Sequence, residues 1–137
     1  MTPDQIIASA RACLDTPFKH QGRINGRALD CAGLLVTVAA AIGAEYVDVA
    51  GYSRIPTGLL ARVMESQPCL VRIKVAEATA GDVLVMRFAK DPQHLAVLAG
   101  DTIIHSHAAV RTCCEHAFDD TWRRRVVTAW RFIGGTA

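Results

Sequence analysis

Pro68 divides this chain into two halves with different apolar rhythms. Before it, apolar residues recur at helical spacing. Ile6, Ile7, Ala10, Cys13 and Leu14 share one face of a helix expected over residues 3–15, which Pro17 ends. Leu34, Leu35, Val38, Ala39 and Ile42 form a second run, expected to be helical from about 31 to 43 and stopped by Gly43. A short third helix should open at Pro56 and carry Leu59, Leu60, Val63 and Met64. After Pro68 the period falls to two or the apolar run becomes continuous: Cys69–Val75, Val83–Phe88, His94–Ala99, Thr102–His107 and Val126–Ile133 read as strands, with 109–114 a candidate to extend the sheet. Helices first and strands second predict an α+β fold, with N-terminal helices packed on an antiparallel sheet. Residues 18–29, with Gly22, Asn25 and Gly26, read as a loop. No linker or repeat interrupts the pattern, so residues 1–137 are read as one domain.

The chemistry concentrates at Asp30-Cys31-Ala32-Gly33-Leu34-Leu35. Asp30 is a good N-cap, which puts Cys31 at the first turn of the second helix. The positive end of a helix dipole favours a thiolate, so Cys31 is expected to have a lowered pKa and to be nucleophilic.

A second constellation follows from one turn. Gly100-Asp101 suits a two-residue type II′ hairpin between the strands on either side. Ala99 then faces Thr102, His94 faces His107, and Ala96 faces His105. In that register His94, His105 and His107 share a face with Ala96, Leu98 and Ile103. His105 lies diagonal to His94, at roughly 7–8 Å between backbones and within imidazole reach. A slip of one residue would destroy the arrangement. A thiol, a histidine base and a third polar group that fixes the base's tautomer are the parts of a cysteine nucleophile.

Bulk properties narrow the classes. A net charge of +2 gives no argument for nucleic acid. Five cysteines without CxxC spacing read as reduced thiols of a chain made in the cytoplasm; Cys13, Cys69, Cys113 and Cys114 read as core or sheet residues. The N-terminus lacks the basic and apolar regions of a signal peptide, and no apolar run is long enough to span a membrane.

These residues resemble the NlpC/P60 family of papain-like cysteine peptidases, which cut bacterial cell-wall peptides. The family's Asp-Cys-Ser-Gly-Leu/Phe motif stands here as Asp30-Cys31-Ala32-Gly33-Leu34. Its Gly-Asp before a strand is Gly81-Asp82, its His-Val-Gly-Ile-Tyr-Leu-Gly strand is His94-Leu95-Ala96-Val97-Leu98-Ala99-Gly100, and its Ile-His-Ala strand lies at Ile103-Ile104-His105-Ser106. The resemblance implies Cys31 as nucleophile, His94 as general base, His105 as the orienting group, and the Cys31 amide at the oxyanion site. It implies cleavage of peptidoglycan stem peptides after D-γ-glutamate, with no cofactor. His20-Gln21-Gly22-Arg23 and Asp119-Asp120-Thr121-Trp122-Arg123-Arg124-Arg125 resemble the compact branch found in phage tails and gene transfer particles. That implies tail-tip or baseplate partners, and a virion that delivers the protein to the periplasm or cell wall. Arg123–Arg125 is either a solvated run or a contact with such a partner.

Two departures bear on substrate. Many members hold the free amine of a substrate L-Ala with the Asp, the Ser and an upstream Tyr. Here Asp30 remains, Ala32 replaces the Ser, and Phe18 stands at the Tyr position. Asp30, Phe18, His20 and His107 are therefore the expected substrate-binding residues, for stem peptides still attached to glycan. His116 reads as surface, and Trp122, Trp130 and Phe132 as core, with Val126, Thr128, Trp130 and Phe132 on one strand face. Two other readings stay open: a tail structural subunit with an idle site, and a zinc hydrolase using the three histidines.

Overall fold

The computed structural model describes residues 1–49, 51–52, 58–88 and 92–134. Helix α1 spans Pro3–Arg11, capped by Thr2, whose hydroxyl accepts from the Gln5 amide while the Gln5 side chain returns to the Thr2 amide. The expected helix stops four residues early because the chain turns through Ala12–Asp15, where Asp15 takes a positive φ of 69°. The expected loop over 18–29 contains a small hairpin, β1 (Arg23–Ile24) and β2 (Ala28–Leu29). Helix α2 runs Cys31–Ala41 and helix α3 Leu59–Glu65; Pro56, the expected opening of α3, lies outside the described residues.

Six antiparallel strands complete the fold: β3 (Leu70–Ile73), β4 (Val83–Arg87), β5 (Pro92–Leu98), β6 (Thr102–His107), β7 (Thr112–Ala117) and β8 (Val126–Phe132). They lie in the order β3-β8-β4-β5-β6-β7, so the last strand sits between β3 and β4. A one-turn helix, α4 (Asp120–Arg123), precedes β8. The fold is α+β, as the change of rhythm at Pro68 predicts.

One face of the sheet packs on the helices. Leu34, Leu35, Val38 and Ala39 of α2 meet Val83, Val85, Leu95, Val97 and Ile104, and Ile6, Ile7 and Ala10 of α1 join the same core. The other face holds a smaller cluster of Leu84, Met86, Ala96, Leu98, Ile103, Phe118 and Ala129. The predicted 99–102 turn is present: Gly100 has φ 89° and the Ala99 amide donates to Thr102. The observed pairs Val97↔Ile104 and Leu98↔Ile103 are those of the expected register.

Strand β8 differs from expectation. Val85 pairs with Thr128 but Met86 pairs with Val126, so a bulge absorbs Val127. The extra residue puts Val126 with Ala129 and Met86 on the smaller cluster, while Trp130 and Phe132 join the helix-facing core. Gly81-Asp82 also has a structural reason. Gly81 (φ 93°) passes against Pro3, and buried Asp82 accepts from the Thr79 amide and from Arg131.

Candidate active site

Asp30 organises the start of α2. Its Oδ1 accepts from the Gly33 amide (2.8 Å) and Arg23 Nη1 (2.9 Å). Its Oδ2 accepts from the Gln21 amide (2.8 Å) and from the Tyr52 hydroxyl. A carboxylate offers about four lone-pair sites, and these four donors occupy them. Arg23 also bonds Asp48, the Gly22 carbonyl and the Tyr52 hydroxyl. The His20-Gln21-Gly22-Arg23 motif is thus the shell that holds the helix cap.

Gly33 lets that shell close. A Cβ at Gly33 would stand 2.1 Å from the Gly22 carbonyl oxygen, and one at Gly22 would meet the Ala28 backbone at 2.6 Å. The start of α2 touches the Gly22 backbone because Gly33 has no side chain, and Gly22 in turn lies against the Ala28 backbone for the same reason.

Cys31, at the first turn of α2, lies on the wall of a cavity of about 630 Å3. His94, Phe18, His20, Asp30 and His107 line the same cavity, so the expected substrate-binding residues do converge there. His105 lies behind His94 and is fully buried.

The imidazoles form a chain. His94 Nε2 lies 2.5 Å from His105 Nδ1, His105 Nε2 lies 2.7 Å from His116 Nε2, and His116 Nδ1 lies 3.0 Å from the Ala117 carbonyl. The His107 ring stacks on His105 at 4.9 Å between centroids. Trp122 stands edge-on to His105 and His107, and Arg125 lies over the Trp122 ring at 4.4 Å. Arg125 also lines the cavity, while Arg123 lies over Phe118.

Three expectations change. His116 is not an idle surface residue. Strand β7 pairs with β6 so that Cys114 faces His105 and Ile103 faces His116, which sets His116 diagonal to His105. Trp122 is only partly buried: it packs against the smaller core cluster, as expected, but its ring also lies on the histidines. Arg123–Arg125 is not a plain solvated run, since two of its three members stack on rings. The β6–β7 register was the missing signal for His116. Tyr52 had none, because it lies in a segment without regular structure.

The electrostatics also depart from the helix-dipole argument. Burial, and then the adjacent Asp30 carboxylate, push the Cys31 thiol up to about 12, against the weaker pull of the Leu95 and Ala32 amides and Arg23. Desolvation outweighs the dipole. Burial, reinforced by the neighbouring histidines and Arg125, holds His94 well below its usual value. Burial, and then the repulsion that protonated His107 and His116 would exert, take His105 down to about 3. Near neutral pH the resting pair is therefore a thiol and a neutral imidazole.

Acid should loosen the fold for the same reason. A histidine whose folded pKa is depressed contributes stability above its unfolded pKa and loses it as pH falls below that value. The window opens near pH 6.5 and extends to about 3 for His105. Within it each of buried His94 and His105 costs up to about 1.4 kcal/mol per pH unit. Urea midpoints at pH 7, 6 and 5 should fall stepwise; a flat midpoint would show that the histidines titrate freely.

The His94-His105-His107 and His105-Cys114-His116 groups each bring their ligand atoms within 4.8 Å. Within them the His94–His105 and His105–His116 contacts are hydrogen bonds, not shared ligand positions. Two imidazoles on one zinc at about 2.0–2.1 Å stand roughly 3.3 Å apart, whereas the nitrogens in the chain are 2.5 and 2.7 Å apart.

Residues 15–131 match the model of the NlpC/P60 family, and the chain belongs to that family. In structure it is similar to an NlpC/P60 family protein from Bacillus cereus ATCC 10987 (TM-score 0.72, 20% identity), covering 98% of this chain and 41% of that one. It is similar too to the NlpC/p60 domain of the peptidoglycan hydrolase SagA (0.66, 21%, covering 94% and 97%). A third likeness is to RipD of Mycobacterium tuberculosis, a non-catalytic NlpC/p60 domain protein adapted to peptidoglycan binding (0.63, 14%, covering 96% and 96%). The chain thus spans less than half the length of the Bacillus cereus protein. No curated protein matches it in sequence.

Proposed function

We propose that the chain is a cysteine endopeptidase acting on peptidoglycan stem peptides, with Cys31 as nucleophile, His94 as general base and His105 as its orienting partner. The observation that carries this reading is that Cys31 and His94 line one cavity, with His105 hydrogen-bonded behind His94. His94 spends Nε2 on His105, which leaves Nδ1 to take the thiol proton as Sγ attacks the scissile carbonyl. The same proton goes to the leaving amine, and water then releases the acyl group. The Cys31 amide is a first-turn donor that α2 itself does not use, in position to receive the developing oxyanion.

Asp30 supports a narrower statement about substrate. Its lone pairs are taken by Gln21, Gly33, Arg23 and Tyr52, so none is left for a substrate ammonium. Phe18 and Ala32 line the cavity without a hydroxyl. The enzyme is therefore proposed to accept stem peptides still attached to glycan. Purified sacculi and free muropeptides should be turned over at similar rates, with released peptides identified by mass. A strict preference for peptides with a free L-Ala terminus would sink this reading.

A phage-tail or gene-transfer setting remains the proposed context, supported by the resemblance of the 20–23 and 119–125 motifs to that branch. Peptidoglycan binding without cleavage is the second reading. RipD, a non-catalytic structural neighbour, favours it; the presence of Cys31, His94 and His105 around one site favours the first.

A further inference from the structure

The hydrogen bonds behind His94 have a direction, and one backbone carbonyl sets it. A carbonyl oxygen only accepts, so His116 Nδ1, 3.0 Å from the Ala117 oxygen, carries a proton. In the neutral ring the other nitrogen is then bare, so His116 Nε2 accepts from His105 Nε2–H across 2.7 Å. His105 Nδ1 is bare in turn and accepts from His94 Nε2–H across 2.5 Å. That leaves His94 Nδ1 without a proton. Reversed, the chain would put a proton on His94 Nδ1 and turn a bare His116 nitrogen toward the Ala117 oxygen. The first change disables the base, and the second sets two acceptors against each other.

We propose that His116 is a positioning residue, which holds His94 in the base-competent tautomer by way of His105 and the Ala117 carbonyl. The role rests on the peptidase reading only in taking His94 as the base. During attack the thiol proton passes from Sγ to His94 Nδ1. The Nε2–H then donates to His105 with the positive charge on His94, and no proton needs to travel further. Trp122, packed on both His105 and His116, keeps the rings in contact.

Nitrogen-15 NMR of the imidazoles tests this without any turnover. The wild type should show His94 and His105 protonated on Nε2 and His116 on Nδ1. His94 protonated on Nδ1 in the folded wild type would overturn the proposal whatever the variants do. In His116→Ala the His94 signals should move toward a mixture of tautomers, and kcat should fall by roughly 10-fold or more with KM held within about 2-fold. His116→Gln, which keeps an acceptor oxygen facing His105, should recover part of both effects. A His116→Ala protein with unchanged tautomers, or with mixed tautomers and full kcat, would also overturn it. If wild type cuts no peptide, the peptidase reading fails, while the tautomer pattern still decides the chain's direction.

Discussion

Cys31→Ala should abolish peptide release from purified sacculi, a loss of at least about 10³-fold, while the melting temperature stays within roughly 2 °C of wild type. The split between activity and stability follows from where the thiol sits. Cys31 is only half-buried, on a cavity wall at the first turn of α2, and alanine suits that turn as well. Among the described residues no second cysteine lines the cavity. Cys13 and Cys113 are buried in the core, and Cys114 lies on β7 beside His105. A thiol held up to about 12 also makes a prediction about alkylation. The iodoacetamide rate at Cys31 should climb about tenfold per pH unit from 7 to 9, without the neutral plateau of a resting thiolate. Release of peptides by the alanine variant would remove Cys31 from the mechanism. No release by wild type would leave the binding reading in possession.

Gly33→Ala should be the most damaging small substitution in the fold, at about 3 kcal/mol or more, with a fall in melting temperature of roughly 10 °C. Alanine is ordinarily the better helix former by about 1 kcal/mol. Here its methyl group would stand 2.1 Å from the Gly22 carbonyl oxygen, inside any tolerable contact. Either the helix or the 20–23 loop must move. The loop carries Gln21 and Arg23, so moving it strips two donors from buried Asp30. Gly134→Ala, with open space around it, is the matched control. An unchanged melting temperature for Gly33→Ala would mean that the shell is not held as described.

Much of this was legible in the sequence where local rules act alone. The break at Pro68, the Asp30 cap and the Gly100-Asp101 turn each depend on a few adjacent residues, and together they placed Cys31, His94 and His105. The hairpin register followed because a two-residue turn leaves no freedom. The bulge at Val127 did not, since an inserted residue on β8 is decided by the fit to β4 and not by its own composition. Long-range pairings were hidden for the same reason. Nothing near Tyr52 announces a bond to Asp30, and nothing near His116 announces His105 until β7 is aligned on β6. The thiol's electrostatics were misjudged because a dipole can be read from a helix start, whereas desolvation depends on everything packed around it.

The strand order has a consequence for how the protein is made. Because β8 lies between β3 and β4, a chain emerging from the ribosome holds two strands apart for a later segment. Until Val126–Phe132 is released, β3 lacks its sheet neighbour and β4 is paired on one side only. Trp122, which packs on the histidines, and Arg125, which lies over Trp122, arrive just ahead of it. The candidate site is therefore closed over only once the segment through β8 is available, after the strands that carry its histidines.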